Sequence, residues 1–536
     1  MNWKDQLAAY VPQTEEEAQA KREILTAAEA FGTDIFYRSC ASGGHITCSS
    51  MILDETGENT LMVFHNIYQS FSWTGGHADG NTDFLDTAVR EAMEETGLAS
   101  AEPLCSEILS LDVLPVAAHE KNGAPVPAHV HYNVTYGLKA RRKDKLRPKP
   151  DENSDVKWIP VKEISAVCKE AHMIPVYEKI IARMQAVEQA QKAVLRYAVA
   201  PLCTWYREKA RDLPWRRTRD PYCIWVSETM LQQTRVETVK GYYTRFLEAF
   251  PDIQSLAEAT EEQVHKLWEG LGYYSRARNL RLAAKKIVKE HGGVFPTSYE
   301  EIHALPGVGD YTAGAVCSIC YGQPTAAVDG NVLRVVMRLQ DSLVEIDKVP
   351  AKQRVIQELS AVYPEKDGEG CGILTQALME LGATVCIPGD APRCEACPLR
   401  EYCRSRKCGT SGLLPVRKKK QPKKQVDVTV FILRTDEKYA VCKRPLYGLL
   451  AGMWEFPNIE TRMTEEKVLA QVKDWGCNPL SILYKRSKEH VFTHLHWKME
   501  GVYIECGRES PLFQWKTRDE ILRELAIPTV FRKFFI

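Results

Sequence analysis

At 536 residues the chain is too long for one hydrophobic core, and about three or four domains are expected. Its 44% apolar and 26% charged residues are ordinary for a folded, water-soluble protein and exclude a disordered or fibrous chain. A formal net charge of zero leaves nucleic acid open as a partner, because averaging over domains hides a basic face on any one of them.

No apolar run approaches the roughly 18 to 20 residues of a membrane span, and the start, Met1-Asn-Trp-Lys-Asp-Gln, has no apolar signal core. Seventeen scattered cysteines fit a reducing compartment better than a disulfide scaffold. A cytoplasmic protein without membrane contact is therefore expected.

Residues 1–184 alternate strand-like runs, at 46–53 and 129–136, with helix-like ones, an α+β pattern. Within them Trp73-Thr-Gly-Gly76 leads to Arg90-Glu91-Ala-Met-Glu94-Glu95-Thr-Gly97. Helical spacing puts Glu91, Glu94 and Glu95 on one face. Clustered carboxylates repel unless a cation sits among them, and hard oxygen ligands favour Mg²⁺ or Mn²⁺. The plainer alternative is a solvated, charged helix face.

From 185 to 407 the periodicity is helical, with Gly and Pro breaks. Three motifs fall here: Val226-Ser-Glu228-Thr-Met-Leu231-Gln-Gln233, Leu305-Pro-Gly307-Val-Gly309-Asp-Tyr311, and Val328-Asp329-Gly-Asn331. The Gly-x-Gly turn opens a helix, and its backbone N–H groups can approach a phosphate. Cys386, Cys394, Cys397 and Cys403 are spaced so that one loop can wrap a metal centre. Residues 408–425 form a basic, Pro-containing linker, either a solvated tether or a phosphate-tracking segment. Residues 426–536 resume strand-like alternation, a second small α+β domain.

Together these motifs resemble the helix-hairpin-helix DNA glycosylases with a 4Fe–4S cluster, most closely the MutY family of adenine glycosylases. The resemblance implies an all-α glycosylase core with an iron–sulfur loop, acting on double-stranded DNA that carries adenine opposite 8-oxoguanine. By it, Glu228 is the acid that protonates adenine, and Asp329 the carboxylate that stabilises the sugar cation. Tyr311 and Asn331 support that carboxylate. Trp215, Leu231 and Gln376 match the adenine pocket; Gln233 and Tyr273 match the wedge into the duplex. Gly307 and Gly309 match the DNA clamp. Where endonuclease III relatives carry a Schiff-base lysine this chain has Tyr311, and a phenol cannot form an imine.

The cysteine loop departs from the family in its first gap, seven residues (387–393) in place of six. A 4Fe–4S cluster is still implied, with zinc the rival.

The last domain resembles a Nudix fold that has lost its metal-binding carboxylates, which the MutY family uses to recognise 8-oxoguanine. Phe492, Thr493 and His494 match the reading loop, Thr493 standing where many relatives have Ser. The first domain resembles an intact Nudix hydrolase apart from Thr82, where the motif has Glu. It implies a nucleotide-type substrate, a nucleoside diphosphate linked to some group. Removal of oxidised nucleotides, an unrelated housekeeping hydrolysis and an isoprenoid-isomerase-like activity all remain open. Localisation in a bacterial-type cytoplasm, at the nucleoid through DNA, is implied; protein partners are not. Two other readings remain: a glycosylase/lyase for oxidised pyrimidines, and a non-catalytic lesion-binding protein whose only active domain is the first.

Overall fold

The computed structural model describes residues 2–39, 42–121, 124–365, 369–418 and 422–535. Lys419, Lys420 and Gln421 of the expected linker lie outside the described residues. The chain divides into two compact units. One comprises Met1–Ala210, Val328–Pro364 and Ile373–Lys418; the other comprises Arg211–Ala327, Glu365–Gly372 and Lys419–Ile536.

The first unit opens on an eight-stranded mixed sheet. Its centre is the parallel pair Gly44–Leu53 and His129–Lys139, the two runs expected as strands. Every residue of Gly44–Leu53 is buried, as a central strand covered on both faces requires. Against one face pack Phe84 and Ala88 of the helix Phe84–Thr96, with Leu7, Ile24 and Ala28. Asp83 caps that helix by accepting from the Asp86 N–H, and Gly97, at φ 71°, ends it in a left-handed turn. Against the other face, Met51 and Leu53 meet Tyr177, Ile180, Ile181 and Met184.

Those last residues belong to the 36-residue helix Ile174–Lys209, whose buried positions continue through Leu195, Ala198 and Leu202. The expected domain boundary at 184/185 therefore falls inside a continuous helix. The same unit holds the helix Gly330–Gln340 and the cysteine loop. Asp341 joins sheet domain and loop by accepting from Ser106 Oγ at 2.5 Å and from the Thr410 hydroxyl.

The second unit contains the helices Pro221–Leu231, Val236–Ala249, Ser275–His291 and Asp310–Tyr321, with Trp225, Phe246, Trp268 and Leu280 almost wholly buried. Among the described residues no strand lies between Pro160 and Lys424. The unit ends in a seven-stranded sheet centred on another parallel pair, Lys424–Thr435 with Leu495–Cys506, which repeats the topology of the first sheet. It docks on the helices through Lys266, whose ammonium donates to the Leu522 and Leu525 carbonyls at 2.6 and 2.9 Å.

Candidate functional site

Glu228 lies in the last turns of Pro221–Leu231, a helix started by the Asp220 cap and a first-turn proline. It is buried, at 5% exposure. Tyr311, in the first turn of Asp310–Tyr321, donates its phenol to Glu228 Oε2 at 2.5 Å. Trp215 is buried edge-on to Tyr243, and Leu231 is half-buried at the helix end.

Gln233 and Tyr273 share an unusual backbone: both have positive φ, 58° and 46°, and both are exposed. Non-glycine residues rarely adopt this region, and such strain persists only where surroundings impose it. Here the surroundings are Arg276. Its buried guanidinium donates to the carbonyls of Thr229 and Met230 at the end of the helix Pro221–Leu231, of Gln232 just past it, and of Leu271 and Gly272 before Tyr273. Desolvation lowers its pKa to about 10, still cationic at neutral pH. The Tyr273 hydroxyl lies 3.0 Å from Thr493 Oγ1. Residues 492–494 form the turn between the strands Pro479–Val491 and Leu495–Cys506, with Thr493 and His494 exposed and Phe492 half-buried against Trp497. Gly307 sits at φ 76°, where a side chain would also strike Asn279; Gly309 has open space about it and precedes the helix Asp310–Tyr321.

In the first unit Asp329 caps Gly330–Gln340. Its Oδ1 accepts from the N–H groups of Asn331 and Val332 at 2.9 and 2.8 Å, and its Oδ2 from Asn331 Nδ2 at 2.8 Å. Burial raises its pKa above the ordinary carboxylate value, opposed by these donors and by Arg334. Arg334 in turn donates to Asn331 Oδ1, to the Gly382 carbonyl and to the Cys386 carbonyl, at 2.9, 2.7 and 2.8 Å. Gln376 accepts from the Tyr206 hydroxyl at 3.0 Å. Glu228 and Tyr311 thus form one group and Asp329 and Asn331 another, each within its own unit.

Of the four cysteines, Cys386 and Cys403 contact Arg338, which is 2% exposed. Arg338 donates to the Ile387, Gly389 and Leu414 carbonyls, and its Nη1 lies 3.5 Å from Cys386 Sγ. Burial, reinforced by the neighbouring thiols, pushes Cys397 up to about 12. A metal centre that takes thiolates removes that penalty. One zinc ion bound at about 2.3 Å would bring four sulfurs within about 4 Å of one another.

In the first sheet domain Glu91 and Glu95 are buried, while Glu94 is exposed on the same helix face. Arg90 pairs with Glu91 at 2.7 Å and Glu94 at 3.5 Å. Any side chain at Gly76 would strike the Glu91 carboxylate, so this glycine is required by contact. Burial raises the pKa of Glu91; Glu95 is raised well above the ordinary value by burial and by the Glu91 charge. A hard divalent cation fits such a pair. Thr82 is exposed, and Asp83, which could have replaced its missing carboxylate, is engaged in the helix cap.

Fold and site together define a base-excision DNA glycosylase core carried between two Nudix-type domains. Residues 226–364 match the HhH-GPD superfamily of base excision DNA repair proteins, and residues 45–184 and 428–536 each match a NUDIX domain. The chain is 35% identical over 405 residues to the adenine DNA glycosylase of Homo sapiens, covering 62% of this chain and 72% of that protein. It is 33% identical over 368 residues to the enzyme of Schizosaccharomyces pombe, covering 55% of this chain and 78% of that one. Against the Arabidopsis thaliana enzyme the identity is 30% over 403 residues, 62% of each chain. The chain belongs to the adenine DNA glycosylase family, with an additional Nudix domain ahead of the glycosylase core.

Proposed function

We propose that the glycosylase excises adenine paired with 8-oxoguanine in duplex DNA. The observation that carries this reading is the Tyr311–Glu228 hydrogen bond, at the position where a lyase needs lysine. Tyr311 donates to Glu228 Oε2, and the Glu228 carboxyl supplies the proton that makes adenine a leaving group. Asp329, held through both oxygens, faces the positive charge that develops on the sugar. Trp215, Leu231 and Gln376 shape the adenine pocket. Gln233 and Tyr273 fill the gap left by the flipped base, and Gly307 and Gly309 admit a DNA phosphate. Phe492, Thr493 and His494 read the opposite base. Cys386, Cys394, Cys397 and Cys403 hold a 4Fe–4S cluster that fixes the loop.

The first domain hydrolyses a nucleoside diphosphate derivative. Glu91, Glu94 and Glu95 would hold Mg²⁺ or Mn²⁺, which activates water and screens phosphate charge when bound. Arg90 orients two of these carboxylates.

Single-turnover cleavage of an adenine:8-oxoguanine duplex, developed with alkali, tests the glycosylase. Parent protein is expected to excise adenine, and Glu228→Gln and Asp329→Asn to lose excision by at least about a hundredfold. Borohydride trapping of parent protein on a thymine-glycol duplex would favour the lyase reading. A Glu228→Gln protein as active as the parent would favour the lesion-binding one.

A further inference from the structure

Four histidines converge on one face of the first sheet, away from the carboxylate helix. His45 and His131 are direct partners across the central parallel pair. His77 pairs with Thr47, two residues along from His45, so strand alternation puts its side chain on the same face. His129 precedes His131 by two residues and shares that face. The rings confirm it: His45 lies 4.9 Å from His77, 5.0 Å from His131 and 5.1 Å from His129, between centroids.

One ring nitrogen from each of His45, His77 and His131 lies within 4.8 Å of the other two. His45 is 5% exposed, and its buried Nε2 has no hydrogen-bond partner among the described residues. Leaving a buried ring nitrogen unsatisfied is unfavourable, and a bound ion would satisfy it. His129 Nε2 stands 3.2 Å from His131 Nε2 and fixes that ring.

This group is distinct from the glutamates. Gly76 faces Glu91, and the next residue, His77, points to the other side of its strand. The two sets also differ in chemistry, since imidazole selects zinc-like transition metals and carboxylate selects Mg²⁺.

We propose that His45, His77 and His131 form a second metal site in the first domain, which binds one divalent transition-metal ion of the zinc class and leaves a coordination position for an exchangeable oxygen ligand. Three imidazoles with one open position are the arrangement of catalytic rather than structural zinc. The resemblance to a Nudix hydrolase supplies no role for these residues.

The test uses the full chain with its iron loaded. Zinc alone is titrated in, excess is removed by dialysis, and zinc and iron are counted per chain, with X-ray absorption at the zinc edge. The expected result is about one zinc per chain in an all nitrogen and oxygen shell near 2.0 Å. Binding should weaken at least about tenfold in His77→Gln and in His131→Gln, and persist in Glu94→Gln. His77 and His131 are both only partly buried and lie on different strands, so concordant loss in the two variants is not explained by misfolding of either one. Zinc in a sulfur shell near 2.3 Å, zinc retained by both histidine variants, or no retained zinc would each overturn the site. Loss of zinc with Glu94→Gln but not with the histidine variants would move the metal to the carboxylate helix and overturn it equally.

Discussion

Tyr273 and Thr493, 220 residues apart in sequence, share a hydrogen bond of 3.0 Å between the helical core and the last domain. One hydroxyl belongs to the expected wedge and the other to the expected reading loop. The residue proposed to enter the duplex and the residue proposed to read the opposite base are thus joined in the free protein. Tyr273→Phe keeps the ring and removes the link. It should reduce the preference for 8-oxoguanine:adenine over guanine:adenine duplexes by about three- to tenfold, the worth of one hydrogen bond. Single-turnover rates on both duplexes measure this, and an unchanged ratio would separate wedge from reader.

Arg276 holds the backbone of both wedge loops, so its loss should be felt in DNA binding before chemistry. Arg276→Met removes the donors to five carbonyls while keeping an apolar stem. A stability loss of about 2–4 kcal/mol is expected from carbonyls left unmet. Binding to an uncleavable duplex should weaken at least about tenfold, because Gln233 and Tyr273 lose the support for their positive φ. Equilibrium binding by anisotropy, at a temperature where the variant stays folded, is the readout.

Glu228, Asp329 and the cysteines are legible in the sequence because each sits in a short local motif. Arg276, Arg334 and Arg338 are not, since they bond carbonyls about 40 to 80 residues away and leave no spacing to find. Their one visible signal is a charged residue inside an apolar stripe: Arg334 and Arg338 lie four apart among Val332, Val335, Val336 and Leu339. Both strands of the first parallel pair are readable as apolar runs, and of the second pair only Lys424–Thr435 is; that either pair runs parallel is not. The long helix Ile174–Lys209 was not split by any Gly, and its Pro201 does not end it, so composition could not locate the domain boundary. The histidine group was hidden because three strands, distant in sequence, must pair before it exists.

The pH dependence of excision should report Asp329. Burial holds its pKa above the ordinary value, while Asn331 and the backbone donors pull it down. In its folded state the group favours the protonated form, a contribution to stability present at low pH and lost as pH rises through the raised pKa. Catalysis needs the anion, so the acid limb of the rate profile should lie above the ordinary aspartate range. Asn331→Leu removes a donor to the carboxylate and should move that limb to still higher pH. A limb that stays put would assign it to another group.

Acid stability of the first domain should depend on Glu17. Burial alone would raise its pKa, but Arg183, the Gln13 N–H and Lys179 overcome this and lower it to about 2. A depressed carboxylate contributes stability that is present above its ordinary pKa and lost as pH falls toward the folded value. The window is therefore about pH 4.5 down to 2, and the contribution about 2–3 kcal/mol. Denaturant unfolding of parent and Glu17→Gln across that window should show the parent's advantage shrinking with acid.

Glu91 and Glu95 are buried side by side on one helix, so at neutral pH their repulsion opposes folding until a cation joins them. Two effects of Glu95→Gln follow from that arrangement. Without divalent ions the variant should unfold at a higher temperature than the parent, because one buried charge is gone. With Mg²⁺ in the millimolar range the order should reverse, since a ligand present at about a hundred times its Kd stabilises by about 2.7 kcal/mol and the variant has lost a ligand. Calorimetry with and without Mg²⁺ gives both numbers from one pair of proteins. An Mg²⁺-dependent rise equal in parent and variant would show that Glu95 is not a metal ligand. The absence of a rise in either would show that Thr82, standing where the motif has glutamate, has cost the helix its cation.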